Sequence, residues 1–109
     1  MYDTNNIFAK ILRQEVPCDI IKENQHAIAF NDIAKKANVH ILVIPRGEYT
    51  DFSDFQANAS ESEKLSFYDL VNSIINDGNY TSGYRLITNK GSYGQQEVFH
   101  YHMHILSDG

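Results

Sequence analysis

The alternation over residues 98–106, Val-Phe-His-Tyr-His-Met-His-Ile-Leu, constrains this chain more than any other stretch. Period-two alternation rich in aromatic and β-branched residues predicts a strand, here over residues 95–106. Successive strand side chains point to opposite faces. Phe99, Tyr101, Met103 and Ile105 therefore share one face, and Val98, His100, His102, His104 and Leu106 the other. The first is an ordinary core face. The second sets three imidazoles in a row at about 6.6 Å, two strand rises. Imidazole titrates near neutrality, so such a row suits metal binding, an anion pocket, or nucleophilic and acid–base chemistry. The plain alternative is a solvated face that happens to carry histidines.

A strand needs partners, and the rest of the chain offers them. Residues 19–23 and 27–31 predict two strands joined by a turn at Asn24-Gln25. Residues 39–45 are apolar at both parities, Val39, Ile41 and Val43 against His40, Leu42 and Ile44, as in a strand buried on both faces. His40 is then either a hydrogen-bonded core histidine or a fourth imidazole beside the row. Residues 84–89 predict a fourth strand, followed by the glycine-bearing loop Lys90-Gly91-Ser92-Tyr93-Gly94, whose amides could meet a phosphate. Glycine in a loop also serves turns alone.

Two segments carry helical spacing. Over residues 6–14, Ile7, Phe8, Ile11 and Leu12 recur on one face, with Thr4, Asn5 or Asn6 as cap and Pro17 ending the run. Ser60 and Glu63 form a capping box ahead of Leu65, Tyr68, Leu70, Val71, Ile74 and Ile75, and Gly78 closes that helix. Residues 52–61 receive no assignment. The pattern is α+β, an antiparallel sheet of about five strands with two helices.

The 109 residues predict one domain, 1–109. Net charge is −5 with no basic block, which argues against a nucleic-acid polymer as partner but not against one nucleotide in a pocket. No apolar run reaches membrane length and no charged-then-apolar leader opens the chain, so no membrane association is expected. The single cysteine, Cys18, excludes an internal disulfide and fits a reducing, cytoplasmic setting.

His100-Tyr101-His102-Met103-His104-Ile105-Leu106 resembles the signature of the histidine triad (HIT) family, in which three histidines alternate with apolar residues. Residues 6–11, 29–33, 40–45 and 83–89 resemble its Hint branch, in the right order. The resemblance implies the HIT fold, with two protomers pairing into one ten-stranded sheet, and a purine nucleoside phosphoramidase type of activity.

It also implies roles. His102 would be the nucleophile, forming a nucleotidyl-histidine at the α-phosphate, its other ring nitrogen held by the main-chain carbonyl of His100. His104 would donate to the phosphate, with His100 and His40 buttressing the row. Asp32 would receive the ribose hydroxyls, for which a pure acceptor is suited. Ile7, Phe8, Ile11, Phe30 and Ile33 would form the base slot. Asn89 and Gln96 would orient phosphate and attacking groups as neutral donors.

Four departures qualify these implications. Asn31 replaces a common histidine. Glu97 stands where the Hint branch commonly has serine, and an ionised carboxylate cannot donate, which bears on the leaving group; a surface carboxylate is the plain alternative. The cysteines that hold a structural zinc in some members are Asn6 and Ala9 here, so no metal and no cofactor is expected. The chain stops three residues past Leu106, so the longer Hint tail that covers a neighbouring site is expected to be missing. The expected partners are a small nucleotide substrate and a second copy of the chain. Three alternatives stay open: a dinucleoside polyphosphate hydrolase of the same family, a metal-dependent enzyme built on the histidines, and a nucleotide-binding scaffold without turnover.

Overall fold

The computed structural model describes residues 1–109 and arranges them around one five-stranded antiparallel sheet. The elements run α1 (Ile7–Leu12), β1 (Ile20–Glu23), β2 (Ala27–Asn31), β3 (Val39–Pro45), α2 (Phe52–Asn58), α3 (Glu61–Gly78), β4 (Arg85–Ile87) and β5 (Met103–Ser107). Strand order is β1-β2-β3-β5-β4. β3 is thus central and pairs with β5 from Val39↔Ser107 to Val43↔Met103. The α+β class and the five antiparallel strands are those the alternation predicts. No helix is long and apolar enough to cross a membrane.

Strand parity sorts the side chains into two cores. On one face Ala27, Ala29, Ile41, Val43 and Ile105 pack under Phe67, Leu70, Val71 and Ile74 of α3 and Phe55 of α2. Each of those large α3 side chains contributes about 1.5–3 kcal/mol by leaving water. On the other face Ile28, Phe30, Leu42 and Ile44 pack against Phe8 and Ile11 of α1. β3 feeds both cores, which is why its sequence is apolar at both parities. α3 starts at the predicted box: Glu63 N donates to Ser60 Oγ at 3.1 Å, and Ser60 N donates to Glu63 Oε1 at 3.0 Å.

Five local readings change. The left-handed residue ending α3 is Asn79 (φ 48°), with Gly78 still helical; asparagine tolerates that conformation. The unassigned stretch contains α2. Its cap is Asp51, which accepts from Asp54 N at 2.9 Å. Only Phe55 is buried along it, so it has no repeating apolar stripe to read.

The strand expected over residues 95–106 is regular only from Met103. In the β3–β5 register Tyr101 would face Pro45, which has no N–H to extend the ladder. Tyr101 N donates instead to Tyr49 O at 2.7 Å. Phe99, expected in the core, is half exposed, whereas Tyr101 and Ile105 are buried. β4 stops at Ile87 rather than residue 89, and Thr88 Oγ1 donates to His102 O at 2.8 Å.

Candidate active site

The four imidazoles lie on the α1 side of the sheet, and backbone carbonyls set the protons of His100 and His102. His100 donates from Nε2 to Pro45 O at 2.8 Å, so its Nδ1 is the acceptor, and it receives the Tyr2 hydroxyl at 2.5 Å. His102 donates from Nδ1 to His100 O at 2.8 Å. Its Nε2 makes no hydrogen bond, yet no buried side-chain nitrogen or oxygen lacks a partner. Nε2 is therefore the lone-pair nitrogen, and it opens on solvent.

A backbone amide fixes His40, and His40 in turn fixes His104. Lys36 N donates to His40 Nδ1 at 3.1 Å, so the proton sits on Nε2, 2.9 Å from His104 Nδ1. His104 accepts there and presents Nε2–H outward. Ring centroids are 5.1 Å apart both for His40–His104 and for His102–His104. Phe8 meets the His102 ring edge-on at 5.0 Å.

Burial is the first cause of every shift in this row, and it favours the uncharged ring. It pushes His100 down to about 4, against the upward pull of the bond to Pro45. It pushes His104 down to about 4, helped by His102 and His40. His102 and His40 are lowered too, with the Asp32 carboxylate pulling both the other way. At neutral pH the row is uncharged. An uncharged His102 can attack an electrophile; a protonated one cannot.

A cavity of about 240 Å³ opens in front of His102. Of the residues singled out in the sequence, it is lined by Phe8, Asp32, His40, Asn89, Gln96, Glu97, His102 and His104. His100 lies behind the row, fully buried. The proposed base slot is only partly brought together. Ile11 and Phe30 are buried in the cluster behind Phe8, while Ile7 is half exposed. Ile33 is fully exposed, because it lies in the loop beyond β2 rather than on the strand. Val98, read on the histidine face, lines it too, while sequence reasoning missed Ala34, Lys36, Leu42 and Gln95. Parity in β3 could have found Leu42, which shares a face with His40. Lys36 had only the Lys35-Lys36 pair as a signal.

Asp32 sits where β2 becomes loop. Oδ1 accepts from Ala34 N at 2.9 Å, and Oδ2 lies 3.3 Å from His40 Nε2. In the loop after β4 the amides of Gly91 and Gly94 are engaged within the loop, which leaves those of Lys90, Ser92 and Tyr93 without an internal acceptor. Gln96 is a brace rather than a free donor: Nε2 donates to Thr50 O at 2.7 Å and Val98 O at 3.0 Å, and Oε1 accepts from Gly91 N at 3.2 Å. Gly94 is required by space, since a Cβ there would lie 2.4 Å from Lys90 O. Glu97 is exposed at the cavity wall.

Asp32, His40 and His104 offer ligand atoms within 4.8 Å of one another. Their hydrogen bonding does not suit a cation. His40 has its lone pair on Nδ1, turned to Lys36 N, and its proton on the nitrogen facing the cluster. Nor does the start of α1 offer a zinc set: Asn6 Oδ1 caps the helix by accepting from Ala9 N at 2.9 Å, and Ala9 is buried.

An antiparallel sheet with α3 on one face, and on the other a row of tautomer-locked histidines beside a carboxylate, defines a histidine-triad type of domain. The chain belongs to the HIT family: the HIT domain profile matches residues 13–108. It is 46% identical to an uncharacterized HIT-like protein of Rickettsia prowazekii, over 97% of this chain and 89% of that one. It is 37% identical to the purine nucleoside phosphoramidase of Escherichia coli, over 92% and 84% of the respective chains. A solved HIT family hydrolase from Clostridium thermocellum superposes with a TM-score of 0.81 at 34% identity, covering 94% of this chain and 90% of its own.

Proposed function

We propose that this chain is a nucleotide hydrolase acting on the α-phosphate of purine nucleoside phosphoramidates. The observation that carries the reading is the state of His102: Nδ1–H on the His100 carbonyl and a free Nε2 lone pair at the cavity. In the proposed reaction Nε2 attacks the α-phosphorus and the phosphorus–nitrogen bond breaks. The amine leaves with a proton from solvent. Water then attacks the phosphorus of the nucleotidyl-histidine, releasing the nucleoside monophosphate, a proton and neutral His102. His104 donates its Nε2–H to a phosphate oxygen as charge builds there. Lys36 adds a positive charge at the cavity wall. Asp32 accepts from the ribose, and Phe8 with Leu42 offers an apolar surface to the base. The named activity of the Escherichia coli relative supports the substrate class.

Glu97 weighs against a polyphosphate leaving group, because two negative charges would meet at the cavity wall. A panel of an adenosine phosphoramidate, a dinucleoside tetraphosphate and a nucleotide sugar tests the reading. The phosphoramidate should turn over fastest. A faster tetraphosphate would make the chain a dinucleoside polyphosphate hydrolase, and no turnover of any would make it a scaffold.

We further propose that the chain works as a homodimer. β4 is an edge strand, unpaired on its outer side, that carries half-exposed Leu86 and follows half-exposed Tyr84, and Leu65 of α3 is exposed. Unpaired edges and apolar surface favour association. Light scattering at micromolar concentration should give twice the chain mass; a monomer mass would contradict it.

A further inference from the structure

We propose that Tyr2 is a positioning residue for His102, acting through His100; the inference rests on the nucleophile role given to His102 above. The nucleophile's tautomer depends on where the His100 carbonyl lies. That carbonyl is outside the β-ladder, which begins at Met103, so strand pairing does not fix it. Three contacts do. Tyr101 N donates to Tyr49 O at 2.7 Å, His100 Nε2 donates to Pro45 O at 2.8 Å, and Tyr2 donates to His100 Nδ1 at 2.5 Å. The Tyr2 ring also meets the His100 ring edge-on, with centroids 5.6 Å apart.

The Tyr2 hydroxyl selects the tautomer as well as the position. With a donor on Nδ1, the His100 proton must sit on Nε2, where it binds Pro45 O. If that proton moved to Nδ1, two lone pairs would face each other across 2.8 Å. His100 is fully buried, so no water replaces the hydroxyl easily. Burial also raises the Tyr2 phenol, which keeps it a donor near neutrality.

The test uses Tyr2→Phe, which keeps the ring and loses the donor, and Tyr2→Ala, which loses both. Histidine ring ¹⁵N NMR reads the tautomers, and turnover of an adenosine phosphoramidate reads the consequence. Tyr2→Phe should shift the His100 Nδ1 and His102 Nδ1 signals, leave His26 unchanged, and lower kcat about tenfold at constant KM. Tyr2→Ala should lower kcat at least as far. Unchanged His102 signals, or a kcat within twofold of wild type, would overturn the proposal, even if His100 shifts. A change at every histidine, or a matching change in KM, would mark general loosening and also overturn it. Should the wild type turn over no phosphoramidate, the proposed function fails, and the His102 signals of Tyr2→Phe alone decide the link to Tyr2.

Discussion

Lowering the pH from 7 to 5 should destabilise this protein by about 2 kcal/mol through His100 alone. The ring is fully buried, with both nitrogens engaged by neutral partners. Its pKa falls from 6.5 in the unfolded chain to about 4 in the fold. The unfolded state therefore takes up the proton first. Stability is fully present well above pH 6.5, declines as pH falls through that value, and stops declining below about 4. Linkage gives roughly 0.2 kcal/mol lost already at pH 7 and about 2 kcal/mol at pH 5. His40, His102 and His104 are shifted in the same direction, so they act in the same sense. Urea unfolding followed by circular dichroism at pH 7, 6 and 5 measures it. The midpoint should drop by about 1 M between the extremes, given a slope of about 1–3 kcal/mol/M. His100→Gln should start less stable at pH 7 and lose less on acidification. A midpoint independent of pH over this range would refute the claim that the row is held uncharged by burial.

Two further outcomes follow from the cavity wall. Gly94→Ala should lower kcat/KM by tenfold or more, on the order of 1–2 kcal/mol, because its Cβ would press on Lys90 O and displace the loop bearing Gln95, Gln96 and Glu97; steady-state kinetics with an unchanged kcat/KM would show that the loop tolerates the shift. A 2′-deoxyadenosine phosphoramidate should be a roughly tenfold poorer substrate than its ribose counterpart, since it leaves the Asp32 carboxylate a partner short; a preference that survives Asp32→Ala would assign ribose reading to another residue.

The parts of the fold that announce themselves do so by periodicity. β2 and β3 lie within the predicted bounds, and Ser60 with Glu63 marks the start of α3. What escaped is structure that depends on partners distant in sequence. α2 rests on one buried aromatic and a local cap. β5 shortens because Pro45, 56 residues earlier than Tyr101, cannot donate across the ladder. Within the site, the histidine row was legible from the alternation, and the His100 carbonyl only through the family resemblance. The roles of Lys36 and Thr88, and the conversion of Gln96 from donor to brace, come from loop closures that no local pattern encodes.

The proposed reaction requires His102 Nε2 to become covalently bonded to phosphorus. Intact-protein mass spectrometry, sampled at neutral pH during turnover of an adenosine phosphoramidate, detects that bond. The protein should gain the mass of one adenylyl group, located on His102 by fragmentation, and His102→Asn should show neither the added mass nor turnover. Turnover without any adduct in the wild type, or full turnover by His102→Asn, would rule out His102 as the nucleophile.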